Sequence, residues 1–254
     1  MTILGFRSLA LWLLGYPEKA LADASRALKD AQEIGQAATL MFALNYTAKT
    51  QTHCGNYAAA NSLLEQLIAL ADQKGAPYWK AFGMSVQGCV LVATGDTSGA
   101  VQLLTLGMTA LRSTGATLYV PWLLSNLARA YVDLGELDDA WRCIDEAMTA
   151  MQTSKERWCE AEVNRIAGEI ALKSSKPDTA KAQEYFERAL VVARKQQAKS
   201  WELRAAMSLA RFWRDQGKRE EARGFLAPVY GWFTEGFDTL DLKEAKALLD
   251  ELSA

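Results

Sequence analysis

The stretch from Ala128 to Ala147, ARAYVDLGELDDAWRCIDEA, holds a small residue, a tyrosine three places on, Gly135, an alanine five places later, and then Ile144 and Ala147. Moving outward at a constant step finds the same glycine at Gly15, Gly55 and Gly95, and the same alanine at Ala20, Ala60 and Ala100. A second series, Gly35, Gly75 and Gly115, keeps that step. Self-similarity at such a period means one supersecondary unit copied along a solenoid.

Each unit reads as two antiparallel helices. Leu40, Phe42, Ala43, Leu44, Tyr46 and Ala48 recur at helical spacing and stop at Gly55, where glycine takes the left-handed turn cheaply. Asn56 is placed to cap a second helix carrying Ala60, Leu63, Leu64, Leu67, Ile68 and Ala71, which ends at Gly75. At one fixed place before each first-series position stand Ser8, Ala48, Gly88, Ala128, Ala167 and Ala210, all small, so paired helices approach closely there. The register slips once, near Ser174, Ser175, Lys176 and Pro177, so that Ala182 follows Ala140 by slightly more than the common step; Ala222 recovers it. No segment alternates with period two, so the fold is expected to be all-α: a right-handed α-solenoid of about six two-helix units over 1–238, with a C-terminal capping helix over 239–254 in the same domain. Asp241 and Glu244 fit a capping box for that last helix.

The 28 basic and 30 acidic residues leave a net charge of -2, which supplies no field for a phosphate backbone or an anionic membrane. Neither nucleic acid nor membrane is expected as a partner. Four cysteines, Cys54, Cys89, Cys143 and Cys159, form no CxxC pair, which suits buried thiols in a reduced, cytoplasmic setting. Arg7, the run Leu9 to Tyr16 and the pair Ala20 and Ala22 imitate a signal peptide, but Gly15 and Ala20 fall on the repeat register and favour a folded hairpin. The first helix is apolar nearly all round, from Ile3 to Leu14, which points to cover by preceding repeats or a preceding domain, or by a second copy in a homodimer.

The order Ala128, Tyr131, Gly135, Ala140, Ile144, Ala147 resembles the tetratricopeptide repeat, although this unit is longer than the family's usual one and lacks its proline after the second helix. HEAT-type repeats share the longer period, but the glycine-to-alanine spacing favours the tetratricopeptide reading. The phrase Leu9 to Ala20, LALWLLGYPEKA, is similar to the helical-repeat regions that follow the ATPase module in bacterial multidomain adenylate or guanylate cyclases and in maltose-regulator-type transcription activators. That resemblance implies a non-catalytic interaction or sensor module binding a protein, peptide or small ligand; the rival reading is a stand-alone peptide receptor or assembly adapter.

In tetratricopeptide proteins the first helix of each unit lines the concave surface. Carried onto this chain, the resemblance nominates Asn45, Lys49, His53, Trp122, Ser125, Arg129, Asp133, Asn164, Arg204, Arg211 and Arg214 as the groove. Lys49, Arg129 and Arg211 occupy equivalent positions in three units. The set reads either as a clamp for a carboxylate-bearing peptide or small anion, or as an ordinary wet helix face. Phe42, Phe82 and Trp122 read as recognition platforms or as packing, and Trp79, Tyr119, Trp158 and Trp201 as core. No phosphate loop or GxSxG elbow is present, and His53, the one histidine, has no third ligand beside Cys54, so no catalytic residue, metal or cofactor is expected.

Overall fold

The computed structural model describes residues 2–173 and 176–253. Ser174 and Ser175, half of the stretch assigned to the register slip, lie outside the described residues. Within them the chain is helical with no strand, as expected. Helix α1 (Thr2–Leu13) pairs with α2 (Pro17–Ile34), α3 (Ala37–His53) with α4 (Tyr57–Gln73), and α5 (Pro77–Thr94) with α6 (Thr97–Ser113). Helix α7 (Val120–Leu134) pairs with α8 (Leu137–Ser154), α9 (Glu160–Lys173) with α10 (Thr179–Gln196), and α11 (Lys199–Asp215) with α12 (Arg219–Tyr230), while α13 (Leu240–Ser253) covers α11 and α12. The odd-numbered helices α1 to α11 touch one another in succession and form the inner layer; each even-numbered partner up to α10 lies outside, against two of them. No helix among the described residues is long and apolar enough to cross a membrane.

The repeat residues perform the packing their spacing predicts. Ala20, Ala60, Ala100, Ala140, Ala182 and Ala222 are all fully buried, and Leu64, Leu104, Ile144, Phe186 and Leu226 fill the seam beside them. A Cβ added at Gly107 would stand 2.4 Å from the Ser85 hydroxyl and 2.8 Å from its backbone nitrogen, so α6 meets α5 almost backbone to backbone. The seven glycines of the two series, Gly15 to Gly135, have φ between +61° and +90°. The second series continues without glycine: Lys155, one full step after Gly115, has φ +62°, and Gln197, beyond the slip, has φ +55°. Asp138, Asp139, Glu220 and Glu221 stand in first turns, where the helix dipole favours them. Asn56 departs from expectation: its side chain donates to the Gln51 amide oxygen (2.8 Å), not to the helix it precedes.

The solenoid curls until its first and sixth units meet. The Ser200 hydroxyl donates to the Trp12 carbonyl, and Trp12 is buried between His53 (centroids 4.2 Å apart) and Trp201 (4.7 Å). The segment between α12 and α13 reaches back as well. Its Gly236 N–H donates to the Glu18 carboxylate (2.7 Å), the Lys19 ammonium pairs with Glu235 (3.1 Å), and the Leu240 N–H reaches the Cys54 carbonyl (3.4 Å). Two glycines permit this approach: a Cβ at Gly236 would lie 2.1 Å from Pro17, and one at Gly55 would lie 2.4 Å from Leu240. Helix α1 is thus partly covered by α2, α3 and α11; Ile3, Phe6 (which edges onto Phe42 and Tyr46 of α3) and, just past its end, Leu14 stay largely exposed.

A buried ionic chain ties α9, α11 and α13 together. Glu162 accepts two hydrogen bonds from Arg165 (2.7 and 2.8 Å) and lies 3.9 Å from Arg204. Arg204 in turn grips both oxygens of Asp241 (2.8 and 3.0 Å) and donates to the His53 carbonyl (3.1 Å). Asp241 and Glu244, placed by the sequence as a capping box, are drawn to Arg204 and Arg211 instead, because a charge-assisted guanidinium pair outcompetes a cap at a helix end facing two arginines.

Gly107→Ala, which must push α6 off α5, should lower stability by about 1–3 kcal/mol in urea unfolding. Lys155→Gly, which relieves a left-handed side chain on an exposed turn, should raise it by about 1 kcal/mol in the same assay. Burial pushes the Glu162 carboxyl up, but Arg165, Arg204 and Arg129 outweigh it and hold it at about 2, against an ordinary 4.5. Its folded value being depressed, its stabilising effect is complete above pH ~4.5 and is lost as pH falls towards ~2. The stability gap between the natural protein and Glu162→Gln should therefore narrow by about 3 kcal/mol across that window, measured by urea midpoints at successive pH values.

Candidate functional site

The closed curl divides the nominated groove residues into two groups. Asn45, Lys49, His53, Trp122, Ser125 and Asn164 are buried. Ser125 donates to the Trp122 carbonyl (2.8 Å), and Asn164 donates to the Glu160 carbonyl (2.7 Å) while its Oδ1 is unpaired, as is that of Asn45. The Lys49 ammonium has no hydrogen-bond partner and lies 3.7 Å from the Tyr119 ring centroid, 3.8 Å from that of Tyr46 and 5.0 Å from that of Phe82. Burial holds it well below the ordinary lysine value, with Glu156 pulling the other way.

His53, the last residue of α3, stands at the centre of an aromatic plug. It stacks on Trp12, tilts against Trp122 (5.3 Å) and meets Trp158 and Trp201 edge-on. Burial lowers its imidazole well below the ordinary value, and the positive Arg204 and Lys49 add to the effect. Its ring is thus a packed element of the interior. Tyr119 and Trp201 are core as expected, Phe82 is fully buried, and Trp79 and Trp158 are half-buried against the core.

The other five residues line open space. A cavity of about 410 Å³ lies between the C-terminal halves of α7, α9 and α11 and is bounded by Arg129, Asp133, Glu169, Lys173, Ser208, Arg211 and Arg214 over a floor of Ile166 and Phe186. A second, of about 180 Å³, adjoins it through Arg129, Glu169, Ser208 and Arg211 and adds Tyr57, Glu162, Arg165, Arg204, Asp241 and Glu244. Three of the arginines are already answered from α13: Arg204 by Asp241, Arg211 by Glu244 (3.1 Å) and Arg214 by Glu251 (3.1 Å). Arg129, half-buried where the two cavities join, makes no hydrogen bond or ion pair with a described residue. Lys49, Arg129 and Arg211, equivalent in the repeat, thus end in three environments: an aromatic cage, an open cavity and a capping helix.

Glu169, Lys173, Ser208 and the three α13 carboxylates were not among the nominated positions. Glu169 stands one helical turn after Arg165, the spacing of an ion pair on one face, and that signal was open to reading. Of the α13 carboxylates, Asp241 and Glu244 were assigned to a helix cap and not to the groove. Among the described residues no three His, Cys, Asp or Glu side chains gather as a metal site, and the four cysteines are free and buried. Burial pushes the Cys54 thiol up to about 12 and that of Cys143 to about 11.

The tetratricopeptide-repeat profile matches residues 121–146 and 203–228, which are α7 with the first half of α8 and α11 with most of α12. No curated protein sequence matches the chain. Among solved structures, the apo form of RapI is similar over 96% of this chain and 82% of its own, with 14% identity and a TM-score of 0.66. BtubC from P. vanneervenii is similar over 94% of this chain and 92% of its own, with 18% identity and a TM-score of 0.57. A Rap protein in complex with Competence and Sporulation Factor is similar over 98% of this chain and 73% of its own, with 12% identity and a TM-score of 0.63. At these identities the likeness speaks for the fold. The chain is a tetratricopeptide-like helical-repeat region of six hairpins closed by a capping helix.

Proposed function

We propose that this region is a non-catalytic interaction module that takes an acidic segment of a protein or peptide partner in the polar cavity around Arg129. The observation that carries the reading is Arg129 itself: a half-buried guanidinium between two cavities, uncommitted, beside Ser208 and Arg211. A guanidinium with low water access is a strong partner for a carboxylate, whose two oxygens match its fork. Helix α13 supports the choice of ligand, since it already sets carboxylates on the three neighbouring arginines of the same face. Glu169 and Asp133 on the rim exclude a densely anionic ligand and favour one whose acidic group is flanked by neutral or basic ones.

In this reading 1–238 and the capping helix 239–254 act as one domain at the C-terminal end of a cytoplasmic bacterial signalling protein, with a cyclase or an ATPase-coupled regulator upstream, and no cofactor is required. The outer side of α1 at Ile3, away from the cavities, is the surface for those upstream domains or for a homodimer. A second reading, a stand-alone peptide receptor or assembly adapter, draws support from the likeness to the Rap protein bound to Competence and Sporulation Factor.

The test is a fluorescence-polarisation screen of short labelled peptides, each carrying a single Asp or Glu. Saturable binding that weakens with salt and falls at least ~10-fold in Arg129→Glu is expected. A best binder that ignores both salt and Arg129→Glu would remove the cavity from the proposal.

A further inference from the structure

Above the aromatic plug, at the opposite ends of α7, α9 and α11 from Arg129, lies a space of a different kind. A cavity of about 180 Å³ is walled by Phe6, Leu13, Trp12, Tyr119 and Trp158, with His53 at its floor. It adjoins an outer hollow of about 360 Å³ through Ala10, Leu13 and Trp158, where Gln196 and Gln197 form the rim. The walls are aromatic and aliphatic, and no charged side chain lines either space. The two nearest cations are held behind the rings: Arg204 sits 5.2 Å from the Trp12 ring and is committed to Asp241, and Lys49 sits 3.7 Å from that of Tyr119.

His53 is the feature that packing leaves unexplained. It is 4% exposed and its ring stacks on Trp12, a task phenylalanine would perform without bringing polar atoms into an apolar place. The ring nitrogens form no hydrogen bond with a described residue. Held neutral by its surroundings, the imidazole offers one N–H and one lone pair; neither nitrogen is fully sealed from solvent, and both are free to meet a group entering the cavity that the ring lines. A nearly buried polar ring with no protein hydrogen bond, in the wall of an aromatic cavity, is the arrangement expected of a ligand site.

We propose that this cleft between α1 and the N-terminal ends of α9 and α11 binds one flat, uncharged aromatic molecule bearing a single hydrogen-bonding group, of the indole or phenol kind, with that group directed at His53. Flatness follows from the walls, where Trp12, Tyr119 and Trp158 present faces and edges suited to an inserted ring. Size follows from the volume, since a cavity of about 150 Å³ takes a single benzene ring. Absence of charge follows because a carboxylate or ammonium would lose its water and find no partner in the lining. The site is separate from the polar cavity, so it stands or falls independently of Arg129.

Indole itself is the probe, titrated into the full chain while the side-chain N–H signals of its eight tryptophans are followed by NMR. Saturation at one molecule per chain is expected, with the largest shifts at Trp12 and Trp158. Ala10→Phe, on an exposed position of the shared wall, should weaken binding at least ~10-fold, whereas Arg129→Glu should leave it unchanged. His53→Phe keeps the stack and should weaken indole ~5–10-fold while altering toluene less than ~2-fold. The proposal is overturned by shifts that never saturate, by full binding in Ala10→Phe, by equal losses for indole and toluene in His53→Phe, by saturable uptake of dodecanoate in place of indole, or by a concentration-dependent dimer that closes the cleft.

Discussion

The insertion of Trp12 between His53 and Trp201 is the contact on which the interior of this molecule depends. Six stacked hairpins alone would leave an open curve with a continuous concave face. By drawing the first inner helix onto the sixth, this one aromatic meeting converts that face into a filled centre with separate spaces at its two ends. The burial of Lys49 among tyrosines, the neutrality of His53 and the openness of Arg129 are all consequences of where the plug lies. The two ends differ in character because α13 brings carboxylates to one and α1 brings apolar side chains to the other.

The hairpins were legible from residues whose job is local. Gly135 ends a helix whatever lies around it, and Ala140 must be small because its own partner helix is close. The same logic reaches further than the glycines do: Lys155 and Gln197 hold the left-handed turn in later units without any sequence mark, since the two neighbouring hairpins impose the bend on whichever residue stands there. Closure was not legible. It is the sum of small rotations, one per unit, each decided by side-chain shapes along a whole interface, and no single position encodes it.

That difference explains the mixed fate of the groove residues. Repeat register placed Lys49, Arg129 and Arg211 at equivalent points on three inner helices. Register alone carries no information about what faces them across the curve: Tyr119 for Lys49, empty space for Arg129, and Glu244 for Arg211. The α13 carboxylates were misassigned for a related reason, because a helix-end Asp and Glu satisfy a cap and an arginine equally well until the arginine's position is known.

Contact between first and last units also alters how such a chain comes apart. An open stack of repeats frays from its ends, each hairpin lost for the energy of one interface. Here the terminal hairpins share hydrogen bonds and an edge-to-face tryptophan pair across a sequence separation of nearly the whole chain. Neither end can melt without releasing the other, so a linear array acquires the all-or-none cooperativity of a globular domain.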